Sequence, residues 1–205
     1  MDLKYCEIPR GSLTVIFGPM FSSKTKTLKA HLSVYSAVGE PCLLISNSID
    51  ERENTPKRGI LTTHDECGAN IPKAVTQLKV KSLSEIPISE IIRHNIIAID
   101  ESQFFPDILL VKEWLLKYHK VLFAAGLLAT SEGTMFGEFY KLLAFADEIE
   151  HLKAYCKPCK LLIKNPSIFP KAIMTKCIIP KDSDILVGSE GYIPTCVGHW
   201  NSQDK

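Results

Sequence analysis

The run LTVIF (13–17) leads directly into GPMFSSKT (18–25), and helix-patterned sequence, TKTLKAHLSVYSAV (25–38), starts where that octet ends. A buried strand, a tight loop and a helix in immediate succession point to a parallel α/β sheet. The octet follows the frame G-x-x-x-x-G-K-[ST], except that Ser23 stands where the second glycine belongs. In that frame backbone N–H groups converge on phosphate oxygens at the positive end of the helix. The candidate phosphate-site residues are therefore Gly18, Pro19, Met20, Phe21, Ser22, Ser23, Lys24 and Thr25, with Lys24 on the β- and γ-phosphates and the Thr25 hydroxyl on Mg²⁺. A serine forced to φ > 0 costs about 1–2 kcal/mol, which would weaken the loop without abolishing it.

The alternation continues. CLLIS (42–46), LKVKSL (78–83), IIAID (96–100) and VLFAAG (121–126) read as further strands. The first helix is expected to stop at Gly39. SEIPISEIIRH (84–94) reads as a short helix, and PDILLVKEWLLKYH (106–119) as an amphipathic one opened by Pro-Asp. Residues 47–70 are polar and irregular, a loop over the sheet edge. Beyond Leu152 the texture changes to short apolar pairs broken by prolines, glycines and cysteines. The spacing predicts two units: an ATP-binding α/β domain over 1–150 and a small second domain over 151–205.

Asp100 ends the apolar run IIAI, where a carboxylate would face Mg²⁺ held over the loop. If the strand continues, Glu101 points the opposite way, toward a second substrate. There it could accept a proton from an attacking hydroxyl, or orient a hydrolytic water; the Asp-Glu pair alone does not choose between kinase and ATPase.

Cys156 and Cys159 form C-K-P-C, and about 36 residues further on Cys196 and His199 form C-V-G-H. Two such knuckles read as a closed tetrahedral zinc site with a structural role. The remaining cysteines, Cys6, Cys42, Cys67 and Cys177, follow no such pattern and read as ordinary thiols. Disulfides are not expected: MDLKYCEIPRGS lacks the apolar core of a secretion signal and no run approaches membrane length, so a cytoplasmic, reducing setting is expected. The net charge of +1 advertises neither nucleic acid nor an acidic membrane as a partner.

In order and spacing, GPMFSSKT, Thr63–Asp65 (THD), IIAIDESQFFPD, AAGLLATSEGTMFGEF, HLKAYCKPC and ILVGSEGYIPTCVGH resemble the type II, zinc-containing thymidine kinases over about residues 11–199. The resemblance implies a P-loop NTPase-like parallel sheet flanked by helices, plus a small zinc-binding domain with a lasso loop. It implies transfer of the ATP γ-phosphate to the 5′-hydroxyl of thymidine or deoxyuridine. Glu101 matches the general base, and Arg52, in the D-x-R of Asp50 and Arg52, matches an arginine that assists the phosphates. Gln103 falls with the nucleotide-side residues. Met20, Phe104, Leu127 and Phe136 match the nucleoside pocket, and Gly188 and Tyr192 match lasso positions that hold the nucleoside. A homo-oligomer, commonly a tetramer, is also implied.

Two departures stand out. Ser23 replaces the loop glycine, and Ser131 stands where members usually carry a phenylalanine, followed by Glu132-Gly133-Thr134 in place of a basic stretch. They bear on rate and substrate more than on fold. Two rival readings remain: a P-loop ATPase whose lysine-bearing zinc ribbon binds nucleic acid, and a catalytically weakened nucleotide binder.

Overall fold

In the computed structural model the residues described are 11–49, 75–179 and 191–202. Six strands form one sheet, entirely parallel: β1 (Ser12–Phe17), β2 (Cys42–Asn47), β3 (Val75–Val80), β4 (Ile96–Ile99), β5 (Val121–Gly126) and β6 (Glu148–His151). Their order is β3-β2-β4-β5-β1-β6.

The strands read as unbroken apolar runs because both faces are covered. Leu13, Val15, Leu43, Ile45, Ile97, Ile99, Leu122 and Ala124 point to one face. Ile16, Cys42, Leu44, Ala98, Phe123 and Ala125 point to the other, as the period of two requires. The first face is covered by α2 (Ile88–Arg93), α3 (Val111–Leu116) and adjoining 3₁₀ turns, through Ile91, Ile108, Val111 and Trp114. The second is covered by α1 (Lys24–Ala37), through Leu28 and Leu32. Each such aliphatic side chain, fully buried, contributes about 1.5–3 kcal/mol.

Three elements differ from the sequence expectation. The stretch 106–119 is not one helix: it makes a 3₁₀ turn at Ile108–Leu110 and is α-helical only over Val111–Leu116. The stretch 84–94 divides at Pro87 into a 3₁₀ turn, Leu83–Glu85, and α2. Pro87 lacks an N–H and has its own φ fixed, so it opens α2 rather than lying inside it. The β3 strand lies at Val75–Val80, three residues ahead of its expected start.

Past the sheet, β7 (Ala154–Tyr155) pairs antiparallel with β8 (Lys171–Ala172), and β9 (Met174–Cys177) with β10 (Tyr192–Thr195). Two short helices, α4 (Lys157–Leu162) and α5 (Val197–Asn201), follow Cys156 and Cys196. The buried apolar cluster here is Ala154, Cys156, Cys159 and Ala172, too small to hold these elements by packing alone. No helix among the described residues is long and apolar enough to cross a membrane.

Candidate active site and metal centre

The loop between β1 and α1 lies at the carboxyl end of the parallel sheet, where open α/β sheets bind ligands. Gly18 has no room for a side chain: a Cβ there would lie 2.3 Å from the Leu152 carbonyl oxygen and 2.7 Å from Ser22 Oγ. Ser23 caps α1 in the left-handed region, φ 65 and ψ 27, with no side-chain capping bond. Phe21 is left-handed too, at φ 64. The position normally given to glycine thus has the backbone that favours glycine, and Ser23 bears the cost. Lys24 folds back so that Nζ donates to the Pro19 carbonyl at 2.9 Å. Ser22 Oγ is buried with no hydrogen-bond partner among the described residues, which suits a loop whose partner is a bound anion.

The first turn of α1 meets the end of β4. Thr25 Oγ1 donates to Asp100 Oδ1 at 3.2 Å, and that oxygen also accepts the Glu101 N–H at 3.0 Å. Asp100 is buried. Burial, and after it the charge of Glu101, push its carboxyl up to about 7, against opposing pulls from Thr25, the Glu101 N–H and Lys24. On the same helix Lys29 is buried and its ammonium is pushed down by burial, opposed by the Asp100 charge. A buried carboxylate raised this far is favourable ground for a hard cation, and the Asp100 carboxylate with the Thr25 hydroxyl offers the oxygen ligands Mg²⁺ takes.

The strand does not continue through Glu101. β4 ends at Ile99, and Glu101 sits at φ 50, ψ 45, ahead of a 3₁₀ turn, Ser102–Phe104. Pleat alternation therefore does not orient its side chain; the left-handed turn does. Gln103 Nε2 donates to Glu101 Oε2 at 2.7 Å, while Gln103 Oε1 accepts the Leu127 N–H at 2.9 Å. Hydrogen bonds thus run in sequence from Thr25 through Asp100, Glu101 and Gln103 to Leu127. Phe104 and Phe136 meet edge to face, centroids 5.3 Å apart. Tyr192 opens β10 in register with Cys177. Asp50, Arg52, the Thr63–Asp65 stretch and Gly188 lie outside the described residues.

Two residues absent from the sequence reading join this site. Thr175, on β9, accepts the Met20 N–H at 3.0 Å through Oγ1. Asn47, expected to begin the 47–70 loop, is instead the fully buried last residue of β2, and its Nδ2 donates to the carbonyls of Phe104 at 3.1 Å and Lys81 at 3.2 Å. Asn47 carried a signal, a polar residue ending an apolar strand just as Asp100 follows IIAI. Thr175 carried none, since its partner is 155 residues away.

Cys156, Cys159, Cys196 and His199 converge, their ligand atoms all within 4.8 Å of one another. Each knuckle spans the first turn of a helix, so its i and i+3 side chains share a face. His199 Nδ1 lies 3.5, 3.3 and 3.4 Å from the Sγ atoms of Cys156, Cys159 and Cys196, and Cys159 Sγ is 3.9 Å from Cys196 Sγ. A zinc tetrahedron with Zn–S near 2.3 Å and Zn–N near 2.05 Å has S···N edges of about 3.5 Å and S···S edges of about 3.8 Å. The four residues fit that metal in number, donor type and spacing. Burial pushes the Cys159 thiol up to about 12, and a backbone hydrogen bond from His199 pulls Cys196 down to about 7. Crowded thiols of this kind are hard to ionise together without a cation among them.

The thymidine kinase family model matches residues 11–200. Thymidine kinase 1 of Dictyostelium discoideum is 33% identical over 196 residues, covering 95% of this chain and 80% of that protein. The thymidine kinase of Yaba monkey tumor virus (strain VR587) is 34% identical over 187 residues, covering 91% of this chain and 92% of that protein. The cytosolic thymidine kinase of Homo sapiens is 28% identical over 188 residues, covering 91% and 72%.

Proposed function

Because this chain belongs to the thymidine kinase family, we propose that it transfers the γ-phosphoryl group of ATP to the 5′-hydroxyl of thymidine, or of deoxyuridine. The observation that carries this reading is the hydrogen bond from Thr25 to Asp100, with Glu101 beside it. It brings the helix-capping loop, a buried carboxylate and a second carboxylate to one end of the sheet, the parts an in-line phosphoryl transfer needs.

In this reading the backbone of 18–25, a P-loop, and Lys24 hold the β- and γ-phosphates on the positive end of α1. Thr25 and Asp100 would hold Mg²⁺, which when bound neutralises charge on the phosphates. Glu101, kept in place by Gln103, accepts the proton of the attacking hydroxyl. Met20, Phe104, Leu127 and Phe136 form the nucleoside side of the site, and Gly188 and Tyr192 belong to a lasso that closes over it. Asp50 and Arg52 serve the phosphates, with Arg52 stabilising charge on the transferred group. Cys156, Cys159, Cys196 and His199 hold a structural zinc in a second domain, 151–205, beside an ATP-binding domain, 1–150. We take the protein to be cytoplasmic, where its thiolates stay reduced, and to assemble as a homotetramer.

The test is a transfer assay with ATP, Mg²⁺ and a panel of deoxynucleosides, on wild type and Lys24→Ala. Thymidine should become its 5′-monophosphate, and Lys24→Ala should lose most activity with every acceptor while remaining folded. ATP hydrolysis equally fast with and without nucleoside would overturn the kinase reading in favour of an ATPase.

A further inference from the structure

Residues 129–135 form a small hairpin. Ala129 and Met135 make an antiparallel bridge, Thr130 N–H donates to the Thr134 carbonyl at 2.8 Å, and Gly133 N–H donates to the Thr130 carbonyl at 3.1 Å. Residues 132–135 are exposed. A hairpin of this size is not stable alone, so its position must be set by what touches it.

Trp200 touches it twice. Its indole Nε1 donates to the Ser131 carbonyl at 3.0 Å. Its ring lies against Gly133, where an added Cβ would be 3.0 Å from Cη2 and 3.1 Å from Cζ2. Gly133 is also at φ 81, so no other residue suits this spot on either count. Trp200 directly follows His199 on α5. The carbonyls at the end of that helix are held in turn by Lys176, whose Nζ donates to His199 at 3.1 Å and to Ser202 at 2.7 Å. The hairpin runs on into Phe136, whose N–H donates to the Leu128 carbonyl at 2.9 Å and whose ring meets Phe104.

We propose that Trp200 is a positioning residue that ties the 129–135 hairpin to the Cys/His-held unit, and through Phe136 and Phe104 sets the affinity for the nucleoside. The tie follows from geometry alone; its effect on the nucleoside rests on the functional reading above. Trp200 touches neither the β1–α1 loop nor the carboxylates in any described contact, so ATP handling should not depend on it.

Trp200→Phe keeps an aromatic ring but removes the indole N–H and, with it, the Cζ2–Cη2 edge that lies against Gly133. One hydrogen bond to a backbone carbonyl corresponds to about a two- to ten-fold change in an equilibrium. The KM for thymidine should rise by about that factor, with kcat and the KM for ATP within two-fold of wild type and zinc content unchanged. Amide hydrogen exchange at Thr130 and Gly133 should quicken. A purely structural role would move both KM values together or neither, and either result overturns the proposal. If the wild type phosphorylates no nucleoside, the kinase reading fails, and exchange at Thr130 and Gly133 still decides whether the tie exists. Should Trp200→Phe lose zinc, Gly133→Ala attacks the same contact away from the metal ligands. It should quicken the same amides and raise the same KM; unchanged values would overturn the proposal.

Discussion

The Thr25 hydroxyl donates to Asp100 Oδ1 at 3.2 Å, so the first turn of α1 is fastened to the residue that follows β4. One carboxylate oxygen thereby accepts two hydrogen bonds, from Thr25 and from the Glu101 N–H, and the group still titrates high because burial outweighs them.

That raised carboxyl makes a prediction with a definite sign. Folded Asp100 titrates near 7, against an ordinary 3.8. Between about pH 4 and 7 the metal-free native state holds a proton the unfolded chain has released, so stability falls as pH rises through that window. Asp100→Asn removes the ionisation and keeps an acceptor for Thr25. Without Mg²⁺ the variant should unfold at a higher temperature than wild type at pH 8, and the difference should vanish by about pH 4. Thermal unfolding across that range is the measurement. A variant less stable than wild type at pH 8 would show that the carboxylate is not under electrostatic strain.

Zinc should be present at about one per chain in protein purified without chelator. Cys156→Ser should lose it, and with it the fold of β7–β10, because the apolar cluster there has only four buried members. Protons compete with metal for thiolate and imidazole, so zinc should be released as pH falls and retained as it rises. Metal analysis after dialysis at stepped pH checks both statements. Well-folded protein without zinc, or undiminished zinc in Cys156→Ser, would contradict them.

The sheet was legible because its strands are buried on both faces, so LTVIF, CLLIS, IIAI and VLFAAG stand out as apolar runs. β6 was not, since Glu148–His151 is a mostly exposed edge strand, EIEH, with one partner and no apolar pattern. The Cys/His cluster was legible because the two members of each knuckle, Cys156 with Cys159 and Cys196 with His199, are local in sequence. Of the carboxylates, Asp100 was legible as a strand end, but the orientation of Glu101 was not: pleat alternation stops at Ile99 and a left-handed turn takes over. Thr175 and Trp200 were invisible because their partners, Met20 and Ser131, are brought near only by the tertiary fold.

Ser23→Gly should leave ATP affinity unchanged or raise it. At φ 65 a serine costs about 1–2 kcal/mol, and its side chain makes no capping bond that would be lost. Glycine returns about 0.5–1 kcal/mol of that by loosening the unfolded chain. The net gain in stability is therefore small, about 0–1.5 kcal/mol. Calorimetric titration with ATP and Mg²⁺ is the check. Clearly weaker binding in the glycine variant would make the serine itself a phosphate ligand.

Glu101 is the proposed general base. Glu101 Oε2 accepts from Gln103 Nε2 at 2.7 Å, and Gln103 is anchored in turn by the Leu127 N–H at 2.9 Å. A glutamine at 101 can accept the same hydrogen bond through its amide oxygen, so Glu101→Gln keeps the shape of the site and removes its basicity. A positioned general base contributes about 10²–10⁴-fold. The turnover number should fall by about that factor, while the KM values for thymidine and ATP change little, since the loss is confined to the transition state. Glu101→Asp should fall between the two, because the carboxylate survives but retreats by one methylene. Steady-state kinetics on the three proteins decides the matter: thymidine turned over by Glu101→Gln at the wild-type rate would mean that another group takes the proton.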